Sequence, residues 1–162
     1  EKIPAELIKK IRDAENYNVG YGCVRQLSFG FLDMGWHTIT QPFSGDMIQF
    51  ENEALSGTQL FPSVSGVTIG PAFGHIFSGG YAAGYYSYKW AEVLDADAFS
   101  LFEKNGIFDK ATARSFAENV LSKGGTEDPS VLYRRFRGQD PTPDALYRRN
   151  GITLPNQISP RK

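Results

Sequence analysis

An all-α fold is predicted for this 162-residue chain by three observations. Apolar residues recur at helical spacing in the first half, capping side chains are matched by downstream glycines in the second, and Gly and Pro punctuate the segments between. The length suits one ordinary domain and leaves little room for two. Hydrophobic residues at 41% and aromatics at 14% supply a core and exclude a disordered chain. Seventeen Lys+Arg against eighteen Asp+Glu leave a net charge of −1, which argues against nucleic acid or an anionic membrane surface as a partner. A single cysteine, Cys23, excludes an intrachain disulfide and a cysteine-based zinc site. No apolar stretch approaches the roughly 20 residues of a membrane span. Glu1-Lys2-Ile3-Pro4 does not read as a signal peptide.

Pro4 suits the first turn of a helix whose positions Leu7, Ile8, Ile11 and Ala14 share a face. A longer helix is expected from about residue 18 to 38, with Cys23, Leu27, Phe31 and Met34 as its buried stripe and Met34 and Trp36 in the core. Gly20, Gly22, Gly30 and Gly35 weaken that helix but allow close packing. Pro42 ends it, and Ser44 reads as the cap of a short helix to about Leu55. Residues 56–70 form a long loop, of a length more often functional than idle. After Gly79-Gly80 a helix is expected from about Tyr81 to Lys104, stopped by Asn105-Gly106. Asp109, Asp128-Pro129 and Thr142-Pro143 each open a further helix, closed at Gly124-Gly125, Gly138 and Asn150-Gly151. Residues 1–152 therefore read as one helical domain and residues 153–162 as a polar tail.

Chemistry concentrates between His75 and Trp90. On a continuous helix Tyr81, Tyr85 and Tyr88 fall within about 60° of arc. Three phenols beside a glycine pair can donate to an anion or a developing oxyanion, with His75 as a further donor or acid. Aromatic packing with hydroxyls at the surface is the plainer reading of the same residues. Glu92 and Asp95 read as a solvated helix face. Arg134, Arg135, Arg137, Arg148 and Arg149 can bind phosphate or carboxylate, but their place in the last turns of two helices is explained by the helix dipole. Lys89 reads as a snorkelling side chain beside a buried Trp90. With two histidines, His37 and His75, 38 positions apart, no zinc site is expected within the chain.

The stretch Phe73-Gly-His-Ile-Phe-Ser-Gly-Gly-Tyr-Ala-Ala-Gly-Tyr-Tyr-Ser-Tyr-Lys-Trp-Ala-Glu-Val93 resembles the C-terminal signature of the thimet oligopeptidase family of zinc metallopeptidases. The likeness continues through Asp97-Ala-Phe99, Gly106-Ile107-Phe108, Leu121-Ser-Lys-Gly-Gly-Thr-Glu127, Arg134-Arg-Phe-Arg-Gly138 and Asp144-Ala-Leu146. It is similar above all to the group of bacterial peptidyl-dipeptidases and oligopeptidase A, leaning to the former. The resemblance implies the helical C-terminal portion of a two-lobed peptidase, with zinc in the full-length parent and none held by this piece alone. The H-E-x-x-H motif would lie upstream, so this piece alone would be inactive. His75 and Tyr88 match positions that act on the peptide and its tetrahedral intermediate. Tyr81 and Tyr85, with the Gly79-Gly80 loop, match substrate-binding positions. The partners so implied are short peptides and the missing N-terminal catalytic portion, with no nucleic acid and no membrane. Cytoplasm is the expected compartment, the periplasm being the other that suits low cysteine. The rival reading is a stand-alone helical peptide-binding module that grips a peptide with the tyrosine face and the 56–70 loop. An RNA-binding domain using the arginines is disfavoured by the near-zero charge.

Overall fold

The computed structural model describes residues 2–152, and every regular element among them is helical. The expected tail, 153–162, lies outside the described residues. The chain divides at Lys89/Trp90 into two compact units.

The first unit begins with α1, Ala5–Glu15, whose opening N–H groups on Leu7 and Ile8 bond the Pro4 carbonyl at 3.0 and 3.2 Å. Its apolar positions Leu7, Ile8 and Ile11 are all exposed. Asn18, in the left-handed region at φ 60°, separates α1 from α2, Val19–His37. The expected stripe of α2 is not the buried one. Leu27, Phe31 and Met34 are exposed, whereas Leu32 and Asp33 are fully buried and Phe29 and Trp36 pack on the core. The helix is apolar on nearly all sides, so periodicity could not choose the inward face.

Helix α3, Met47–Leu55, is capped by Asp46 rather than Ser44, its carboxylate accepting from Ile48 and Gln49 N–H at 2.8 and 3.1 Å. From α3 the buried Glu51 organises the end of the long loop. Its carboxylate accepts from the Thr68 hydroxyl and from the N–H groups of Ile69 and Gly70, both at 2.8 Å. A 3-10 turn, Gly70–Ala72, and the one-turn helix α4, Gly74–Phe77, follow. Leu32, Leu55, Phe73 and Ile76 form the core of this unit.

Helix α5 runs over Ser87–Asn105, starting six residues later than the sequence suggests. Residues 82–86 are turns. Gly80, at φ 82°, and Ala83, at φ 52°, are both left-handed, and no α-helix passes through such residues. Trp90, expected to be buried, is half exposed.

In the second unit α6, Lys110–Phe116, opens on an Asp109 cap and runs into a π-turn, Ala117–Leu121, before left-handed Gly124. Helix α7, Pro129–Arg137, has the expected cap on Asp128 and stop at Gly138. Helix α8, Asp144–Arg149, follows Pro143 without a bond from Thr142. Phe116 meets Phe102 and Phe136 edge to face, and Ala96, Ala145 and Leu146 form a separate cluster. Asp97, 2% exposed, ties α5 to α7: the Tyr133 hydroxyl donates to it at 2.6 Å and Arg137 pairs with it at 3.1 Å.

Candidate active-site segment

Four sequence-predicted residues converge in the first unit. His75 sits on α4, Tyr81 just beyond the glycine pair, Tyr85 in the turn, and Tyr88 in the first turn of α5. The Tyr81 and Tyr88 rings are 5.3 Å apart and those of Tyr85 and Tyr88 5.0 Å. The His75 ring lies 6.3 Å from Tyr81 and 6.1 Å from Tyr85. Their grouping does not come from a shared helix face, as the spacing suggests, but from a folded turn.

That turn is built from the backbone. The Gly79 N–H bonds the Gly74 carbonyl at 2.7 Å, and Tyr81 N–H reaches the His75 carbonyl at 3.2 Å. A Cβ on Gly79 would stand 2.9 Å from both the Cα and the carbonyl oxygen of His75, so only glycine fits. Gly80, at φ 82°, then reverses the chain. Tyr81 accepts at its carbonyl from Gly84 N–H at 2.8 Å, closing the next turn.

The phenols differ in setting. Tyr85 is half-buried, its ring against Phe29 and Phe73 at 5.7 and 5.1 Å. Tyr81 and Tyr88 are each 37% exposed, and His75 is exposed. The Tyr88 phenol is raised above the usual tyrosine range, chiefly by the neighbouring Tyr81 hydroxyl and then by burial. Tyr88 is therefore a neutral hydroxyl at physiological pH, able to donate to a negatively charged oxygen. Tyr86 is largely exposed and makes none of these ring contacts.

Sequence reasoning missed Asp33. From α2 this buried carboxylate receives the N–H groups of Ala83 and Tyr85, each at 2.9 Å. Its signal was an acid inside an apolar helix, which is unexplained as a solvated residue.

Four of the five singled-out arginines are engaged in ion pairs. Arg134 pairs with Asp140, Arg135 with Glu127, Arg137 with Asp97 and Arg149 with Asp95. An apolar groove of about 1150 Å³ in the second unit, lined by Trp90, Phe99, Phe102 and Phe116 among others, contains none of the expected site residues. Among the described residues no group of three or more His, Cys, Asp or Glu could hold a metal ion. His37 is turned to Asp33, its Nδ1 2.8 Å from the carboxylate, and the residues present do not fit a zinc site. No helix among them is long and apolar enough to cross a membrane.

Known proteins resemble the chain over almost all of it. Oligopeptidase A of Escherichia coli is 46% identical over 153 residues, covering 94% of this chain and 22% of the relative. A probable cytosolic oligopeptidase A of Arabidopsis thaliana is 41% identical over 157 residues, again 94% of the chain and 22% of the relative. The dipeptidyl carboxypeptidase of Salmonella typhimurium is 34% identical over 154 residues, 94% and 23%. Identity is thus higher to these oligopeptidases A than to the dipeptidyl carboxypeptidase. The chain spans about a fifth of the length of the curated relatives it matches. The profile of Peptidase family M3 matches residues 1–152, and the chain belongs to that family.

Proposed function

We propose that this chain is the substrate-facing C-terminal portion of a longer zinc peptidase that hydrolyses short peptides. The reading is supported by family membership and by one observation above the others. His75, Tyr81 and Tyr88 meet at the surface of a glycine-built turn, with the Tyr81 and Tyr88 rings 5.3 Å apart. In this role Tyr88 donates to the oxygen that gains charge as the scissile carbonyl is attacked. Tyr81 holds the Tyr88 hydroxyl in place and contacts the peptide. His75 acts beside them as a donor, and Tyr85 fixes the cluster to the core. The Gly79-Gly80 turn leaves backbone close to the substrate.

The described residues do not fit zinc, so the metal is assigned to a portion outside this chain, and no step through it is derived. The exposed apolar positions of α1 and α2 are where that portion would pack. The longer protein is assigned to the cytoplasm, where a lone thiol such as Cys23 stays reduced.

Metal analysis and a fluorogenic peptide assay on the isolated chain test the division of labour. The expected result is no stoichiometric zinc and no hydrolysis, with peptide cleavage appearing only in the longer protein. One tightly held zinc per chain with chelator-sensitive hydrolysis would overturn it. A longer protein that binds peptides and cleaves none would favour the peptide-binding module instead.

A further inference from the structure

We propose that Asp33 is a positioning residue for the tyrosine cluster, a role that rests on the substrate-facing reading of those phenols. Its side chain lies buried on α2, and its carboxylate is engaged by the site segment and by His37. Oδ1 accepts from Ala83 N–H and Oδ2 from Tyr85 N–H, each at 2.9 Å. The His37 Nδ1 stands 2.8 Å from Oδ1, one turn along the same helix, and the ring packs against Phe77 at 5.7 Å.

The two amides bracket Gly84, so the carboxylate fastens the turn at two alternate residues. One of them, Ala83, is held at φ 52°, a left-handed conformation that a Cβ disfavours. Fixing 83–85 fixes the phenols on either side. Gly84 N–H bonds the Tyr81 carbonyl at 2.8 Å, and Tyr88 N–H bonds the Tyr85 carbonyl at 3.3 Å. Asp33 therefore sets where Tyr81, Tyr85 and Tyr88 stand without being one of the exposed groups. A neutral or shortened side chain leaves two amides without a charged acceptor, and Ala83 relaxes toward an ordinary conformation.

The test is Asp33→Asn, which keeps the shape but replaces one acceptor oxygen with a donor. In this chain, amide hydrogen exchange at Ala83 and Tyr85 should accelerate about tenfold or more, while Ala96 in the middle of α5 stays unchanged. In the longer peptidase kcat should fall about 10–100-fold with KM little moved, as expected when reacting groups are misplaced by about an ångström. Adding Ala83→Gly, which tolerates the left-handed turn unaided, should restore much of the turnover. Unchanged exchange at 83 and 85, equal acceleration throughout the chain, or no rescue by the glycine would each overturn the proposal. The exchange readout is independent of catalysis. Faster exchange with a silent Tyr88→Phe removes the functional reading, whereas normal exchange with an impaired Tyr88→Phe removes Asp33 and leaves that reading.

Discussion

The Tyr81 and Tyr88 rings lie 5.3 Å apart, although six residues separate them, left-handed Ala83 among them. The neighbouring Tyr81 phenol helps to keep the proton on Tyr88. Tyr81→Phe removes the largest cause of the raised pKa, so Tyr88 should titrate earlier, toward the ordinary phenol value. Tyrosine ring carbons followed by NMR across the alkaline range measure this directly. An unmoved Tyr88 titration would mean that burial, not Tyr81, holds the proton.

Gly79→Ala should damage the site from beneath. The added methyl lies 2.9 Å from His75 backbone, which must move and take the imidazole with it. A loss of about 1–3 kcal/mol in stability is expected. Gly57→Ala meets nothing within 4 Å and serves as the control. Equal melting of the two variants would contradict the close approach.

In the second unit Asp97→Ala leaves Arg137 and Tyr133 without their buried partner and should cost about 3–5 kcal/mol. Tyr133→Phe keeps the ion pair and should cost less, about 1.5–3 kcal/mol. Chemical denaturation of both variants checks the order, which would be reversed if the hydroxyl rather than the charge pair mattered more.

Tyr133 also sets an alkaline limit. Burial first, and then Asp97, push its phenol far above the ordinary phenol value of 10.0. Above about that pH the unfolded chain releases the proton while the folded one keeps it, so its contribution is intact below pH 10 and is lost as pH rises beyond. Tyr88 acts with the same sign. Denaturation curves should show stability falling on the alkaline side, less steeply in Tyr133→Phe. A slope identical in the variant would contradict the assignment.

What the sequence made legible was local. The span of α7 follows from Asp128-Pro129 at one end and Gly138 at the other, because caps act within one turn. What stayed hidden depends on distant groups. The turn that precedes α5 is bonded to a carboxylate 50 residues earlier, and the inward face of α2 packs on Phe73 and Ile76. The tyrosine grouping was foreseen for a geometric reason that proved wrong: a turn, not a helix face, gathers it. The anchoring roles of Asp33 and Glu51 stayed hidden because the loop amides they accept from lie 50 or 52 and 18 or 19 residues away.

The central claim is that the Tyr88 hydroxyl acts on charge that develops during peptide hydrolysis. Tyr88→Phe in the longer peptidase measures it, with Tyr86→Phe as the control on an exposed ring outside the cluster. A donor used only in the transition state leaves KM nearly unchanged and lowers kcat by about 10²–10³, with little change in melting temperature. Tyr86→Phe should keep near-parental turnover. Tyr88→Phe that retains more than about a third of parental kcat while melting several degrees lower would contradict the account and make Tyr88 a packing residue.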